Sequence, residues 1–144
     1  MTTAAQFAGT PNKGTPGYLT AANTTRDGTG ATGRQLLFTA GASGSVLPGV
    51  QLQPRGTNVQ TVLRFFRNNG SDPETAANNS LIAEQVIPAT TASDTTSLPD
   101  YYMDFAQKFD GPGLVLASGE RLYMTLATAV SAGIQATPIN GGDL

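Results

Sequence analysis

Cysteine and histidine are both absent from this 144-residue chain. Without them there is no thiolate nucleophile, no imidazole general base and no zinc or copper site of nitrogen and sulfur ligands. Most common hydrolase and metalloenzyme arrangements are thereby removed. A disulfide scaffold is excluded too, so redox chemistry does not identify a compartment. Charge is scarce, at 12% of residues, about half the share of a typical soluble domain. The formal net charge of -2 offers no basic footprint, so neither nucleic acid nor an anionic membrane is expected as a partner. Long apolar runs are missing as well. No segment approaches the ~20 apolar residues of a membrane span, and the start MTTAAQFAGT lacks the basic residues and apolar run of a secretory signal. Synthesis and folding in the cytoplasm are the expectation.

What is present is a turn-rich β composition in which Thr, Ala, Asn and Gly are plentiful. The length suits one domain, able to bury roughly two thirds of its unfolded surface. Residues 1–17 are poor in large apolar groups, and such a segment cannot offset its ordering entropy alone. It is expected as an extended N-terminal arm that Phe7 and the nearby Tyr18 could anchor, with residues 18–144 forming the domain.

The most apolar stretch is TNVQTVLRFFRNN, residues 57–69. Counting alternate positions puts Val59, Thr61, Leu63 and Phe65 on one side and Gln60, Val62, Arg64 and Phe66 on the other, the period of an extended strand. The first side is expected in the core. The second is either another covered face or a surface that meets a partner. Asn68, Asn69 and Gly70 supply the turn that ends the strand.

Further strands are expected at residues 18–23, 34–40, 46–53, 81–88, 101–109, 114–117, 121–130 and 134–139, separated by turn formers such as Asp27-Gly28 and Asp110-Gly111. In the third of these Val46, Val50 and Leu52 should point inward, and Pro48 argues for an edge or a bulge. Tyr101, Met103, Phe105 and Phe109 share a period-two face, as do Leu122, Met124 and Leu126. Leu81, Ala83 and Ile87 form another. Short strands at near-regular spacing without sustained helical period indicate an all-β fold, an antiparallel sandwich or barrel.

Few constellations carry chemistry. Asp100 with Asp104, or Asp94 with Asp100, could be imagined as an acid and base pair or as calcium ligands, but ordinary loop carboxylates are the simpler reading. Gly28 and Gly30 lack the Lys and helix of a phosphate-binding loop. No catalytic, cofactor-binding or metal-ligating residue is expected. The closing Gly141-Gly142-Asp143-Leu144 could dock elsewhere or simply end the last strand. Arg64 and Arg67 flank Phe65 and Phe66; guanidinium groups stack on aromatics and pair with carboxylates, so the group could be a subunit contact or could pair locally with Glu84 or Glu120. The residues expected at a protein interface are Phe7, Tyr18, Arg64, Phe66 and Arg67. Exposed tyrosines among Tyr18, Tyr101, Tyr102 and Tyr123 could instead form a sugar-stacking platform.

From about Leu19 onward the order TAANTTRDGTG, LLFTAGASGS, GTNVQTVLRFFRNNGS, LIAEQVIPATTAS, LASGERLYMTLAT and a closing NGGDL resembles a family of small virion structural proteins of tailed bacteriophages, the jelly-roll capsid decoration or cement proteins. The resemblance implies a jelly-roll-like sandwich of about eight strands. It also implies a non-enzymatic role on the outer capsid surface, a homotrimer, and the major capsid protein as partner. The arm before Leu19 departs from that pattern. The competing expectation is a module of a phage tail or capsid fibre that binds host carbohydrate.

Overall fold

The central strand forms because alternate apolar side chains can be buried on both of its faces. The computed structural model describes residues 9–144, and Phe7, expected at an interface, lies outside the described residues. The strand is β6, Thr61–Asn68, in which Leu63 and Phe65 are fully buried in the core. It starts four residues later than the apolar pattern indicated, because Asn58 pairs with Thr90 in an isolated bridge instead of joining the sheet. Val59, expected inward, is 57% exposed.

The remaining strands are β1 (Thr10–Pro11), β2 (Gly17–Leu19), β3 (Arg34–Thr39), β4 (Ser45–Leu47), β5 (Gly49–Pro54), β7 (Asn79–Ile87), β8 (Tyr101–Asp104), β9 (Leu114–Leu116), β10 (Arg121–Leu126), β11 (Ile134–Ile139) and β12 (Gly142–Asp143). One antiparallel sheet runs β3-β10-β6-β7. Two others run β2-β11-β5-β8 and β1-β12-β4-β9. These two are halves of a single bent sheet. β4 passes into β5 through Pro48, β11 into β12 through Asn140 and Gly141, and the pairing order is the same on either side of the bend. Counting each bent strand once leaves eight strands in two facing four-stranded sheets, the layout of a jelly-roll sandwich. A single core, including Leu37, Phe38, Leu47, Leu52, Leu63 and Met124, fills the space between them.

Four departures from simple alternation have identifiable causes. Pro48 lies neither on an edge strand nor at a bulge; it marks the bend, and both β4 and β5 have partners on each side. The bend shifts the inward phase, so Leu47 is fully buried and Val46 only half-buried. Along residues 101–109 the strand stops at Asp104, whose carboxylate accepts the Gln107 N–H at 3.0 Å and caps the one-turn helix α1 (Phe105–Lys108). Phe105 still reaches the core, edge-on to Phe65 at 5.8 Å, while Phe109 is 40% exposed. In β7, the pairing steps from Phe65–Ala83 to Phe66–Leu81 and leaves Ile82 as the extra residue of a bulge. Leu81 therefore turns to the outer face and Ile82 packs against the core. The expected strand at 18–23 shrinks to Gly17–Leu19, since Asn23 folds its side chain onto the carbonyls of Thr29 and Gly30 to shape a loop.

Of the segment expected as an arm, residues 9–17 lie along the domain. Gly9 donates to the Asp143 carbonyl and Asn12 to that of Gly141, each at 2.8 Å. The Asp143 carboxylate ties three elements, accepting from Asn12 Nδ2 at 2.8 Å and from Ser45 Oγ at 2.5 Å. These bonds, Ser45 first, hold its pKa below the ordinary carboxylate value. A depressed folded-state pKa means the stabilisation is present above the unfolded-state value and lost as pH falls through the folded one.

Two predictions follow from packing and from this clamp. Phe65→Ala should cost about 3–5 kcal/mol in urea unfolding, whereas Val59→Ala should stay within about 0.5 kcal/mol. Asp143→Asn should be less stable than the parent at neutral pH, and the gap should close in urea titrations as pH drops below the normal aspartate range.

Candidate interaction surfaces

Three surfaces qualify, and the first is the outer face of β3-β10-β6-β7. Strand pairing places Arg34, Thr125, Arg64 and Glu84 in one cross-strand row. The neighbouring row is Leu36, Tyr123, Phe66 and Leu81. Glu84 Oε1 accepts from Arg64 Nε at 3.0 Å and from Arg26 Nη2 at 2.6 Å. Arg34 Nη1 donates to Glu74 Oε1 at 2.6 Å and to the Gly28 carbonyl at 3.1 Å, with its guanidinium 5.3 Å from the Tyr123 ring centre. Asn79 Nδ2 donates to the carbonyls of Asp27 and Pro73. The covering layer is therefore the chain's own segment 20–33, braced by Glu74 and Asn79.

Under this strap Phe66 has no exposed surface and the Arg64 side chain is 11% exposed. Both were candidates for an interface, and both are enclosed by this chain. Arg64 pairs with Glu84, the local partner considered from sequence. Arg64 Nη1 and Thr125 Oγ1 are buried with no hydrogen-bond partner among the described residues, a polar cost set against the burial of Phe66 and Tyr123.

Arg67 is exposed, at the mouth of the second surface. This cleft of about 370 Å³ lies between edge strands β7 and β9 and is lined by Arg67, Ile82, Phe109, Leu114, Val115 and the turn 110–113. Phe109 stacks on Phe105 at 5.8 Å, which ties the cleft wall to the core. Val115 is 52% exposed. The cleft walls are mainly apolar, with the Arg67 cation and the Asp110 carboxylate as their charged groups.

The third surface is the outward face of β2-β11-β5-β8. Tyr18, the remaining interface candidate, projects there at 50% exposure, and Tyr102 at 46%. Between them stand Gln135 and Thr137 of β11 and Gln51 and Gln53 of β5. Of the other two tyrosines, Tyr101 packs against the core and Tyr123 is buried under Arg34. The sequence reasoning passed over the three glutamines, although the alternation in Val50-Gln51-Leu52-Gln53 was a usable sign of a polar outward face.

The carboxylates considered as a catalytic pair have separate tasks: Asp100 accepts from Gln51 Nε2 at 3.2 Å, and Asp104 caps α1. Among the described residues, no three of the acidic side chains gather in a group that could hold a metal ion. Burial, with a contribution from the nearby Asp104 charge, raises the Tyr102 pKa above its usual value.

No family model matches the chain, and no curated protein matches it. Among solved structures, a chain from the infectious bursal disease virus Gt strain is similar at 13% identity and a TM-score of 0.29. The match covers 92% of this chain and 33% of that one, so this chain spans about a third of that viral chain's length. A likeness this slight carries neither fold nor function.

The strap supplies a test of its own. Glu84→Ala removes the shared acceptor of Arg64 and Arg26 and should lower stability by about 1–3 kcal/mol. Arg26→Ala, which touches only the exposed partner, should cost less than about 1 kcal/mol, both read from chemical denaturation.

Proposed function

We propose that this chain is a non-enzymatic virion structural protein that decorates a bacteriophage capsid and stabilises it by bridging neighbouring subunits of the major capsid protein. The observation that carries the reading is the strand order: eight strands in two facing four-stranded sheets, the layout implied by the motif order that resembles capsid decoration proteins. Many modest contacts replicated over a lattice add through avidity, so a weakly charged sandwich needs no single strong site. Assembly as a homotrimer belongs to the same reading.

In this reading the N-terminal arm, residues 1–17 with Phe7, takes part in the bridging, and its described part, from Gly9 on, includes edge strand β1. The opposite edge of the same half-sheet is β9, which borders the apolar cleft with Arg67 at its mouth. Among the described residues, Tyr18 and Arg67 are the interface candidates that reach solvent.

The decisive experiment is binding to capsids assembled without this protein, scored by copy number per particle. The full chain should reach a copy number set by the capsid lattice. Deleting residues 2–8 should lower occupancy at limiting protein, with thermal unfolding reporting whether the fold is kept. Equal occupancy removes the segment from the mechanism, and a copy number confined to a tail or vertex ends the decoration reading.

A further inference from the structure

On the outward face of β2-β11-β5-β8, both exposed tyrosines lie down on the sheet. Each leans diagonally across to a glycine of the neighbouring strand or its entry. The Tyr102 ring tip occupies the space where a side chain at Gly49 would stand, and the Tyr18 ring tip does the same at Gly133. Gly49 and Gly133 are buried as a result, while the tyrosines remain half exposed. The Tyr18 hydroxyl donates to the Ala132 carbonyl at 2.9 Å, and the Arg55 guanidinium lies 5.7 Å from its ring centre. Lying down leaves part of each ring accessible to solvent, with the Arg55 guanidinium over that of Tyr18. Each ring's position is fixed before any ligand arrives, which reduces the ordering cost of binding.

The two glycine seats define a direction. Gly133 stands beside Arg55, the residue after β5, which donates its backbone N–H to the Gly133 carbonyl at 3.0 Å. Gly49 begins β5. The seats are therefore separated by the length of β5, about 20 Å for six residues of extended chain. Between them the surface carries Gln53, Gln135, Gln51 and Thr137 and no formal charge. Arg55 and Asp100 stand at its margins, bonded to Gln135 Oε1 and Gln51 Nε2 respectively. Those bonds orient the amides. They leave the Gln51 and Gln53 carbonyl oxygens, the Gln135 amide N–H groups and the Thr137 hydroxyl without a side-chain partner among the described residues.

We infer that this face binds a neutral oligosaccharide, laid along β5 and β11 with a sugar ring on each of Tyr18 and Tyr102. The chemistry is matched at each point. Pyranose rings present C–H groups to an aromatic face, and their hydroxyls both donate and accept, as the mixed amide and hydroxyl row requires. The uncharged centre favours a neutral chain over a sulfated or phosphorylated one. The span between the tyrosines requires several sugar residues for both to be engaged. The inference does not depend on the virion role, and it concerns a different surface from the cleft.

The test uses the full chain and a panel of neutral hexasaccharides built from glucose, galactose or N-acetylglucosamine, with their monosaccharides and a sulfated hexasaccharide as controls. Binding is followed by amide chemical shifts and calorimetry. At least one neutral hexasaccharide should bind, shift amides of β5 and β11, and exceed its monosaccharide by about tenfold or more, a difference of ~1.4 kcal/mol. Binding should be unchanged by added salt, as expected for uncharged partners. Tyr18→Ala and Tyr102→Ala should each weaken it by about tenfold, with Tyr102→Phe retaining most of it. Thermal unfolding of each variant reports whether the fold is kept, and Gln51→Ala supplies a second reading if either tyrosine variant unfolds. The inference is overturned if no member of the neutral panel binds at millimolar concentration, if only the sulfated chain binds, or if binding survives both tyrosine replacements. It also fails if the tyrosine variants lose capsid occupancy and no glycan binding is found, which would make this face a capsid contact.

Discussion

The bend in the larger sheet is the constraint on which the rest depends. Two strands that would each run about ten residues straight are broken near their middles, one by Pro48 and the other by Asn140 and Gly141. Asn140 takes a positive φ of 59°, affordable for Asn where a β-branched residue would be strained. The bend lets one sheet follow the core around its end. It also frees the Pro48 carbonyl, which accepts the N–H groups of Phe105 and Ala106 at 2.9 and 3.2 Å. That places α1, and with it the Phe105 ring against Phe65. Gly141 sits at the corner where a side chain would collide with the Asn12 carbonyl and the Phe38 ring, so the corner, the N-terminal strand and the core are packed against one another.

A second organising fact is that β6 is buried on both faces by different means. Its inner side joins the common core. Its outer side is roofed by a loop poor in large apolar groups, held by ion pairs and by hydrogen bonds from the Asn23 and Asn79 side-chain amides to backbone carbonyls. The loop can be polar because the sheet beneath it supplies Phe66, Tyr123 and the aliphatic part of Arg34 as the apolar floor. Arg64 and Phe66 thus hold the protein's own layers together, and the outward-facing surfaces lie elsewhere.

Local pattern made the inner faces of β6 and β10 legible: Leu63 and Phe65, then Leu122, Met124 and Leu126, all alternate into the core as read. The β class followed from that pattern and from the spacing of turn residues. The bend, the bulge and α1 escaped because each changes phase at a single residue. Pro48 reads equally as an edge, a bulge or a corner until the partners of β4 and β5 are known. Asp104 looks like one more outward strand residue until the helix it caps is seen. The sites were less legible still, since Tyr18 and Tyr102 share a face only through β11 and β5, strands far apart in the chain. Nothing local to either tyrosine announces the glycine beneath its ring.

The bulge at Ile82 has a meaning beyond its effect on Leu81. β7 is a nine-residue strand at the border of its sheet, and an unbroken border of that length is a template on which a second molecule could polymerise. The extra residue interrupts the spacing of its outward amides and carbonyls, and Glu84 adds a charge within the same strand. Such a border discourages growth into fibrils, so molecules crowded side by side can remain separate units.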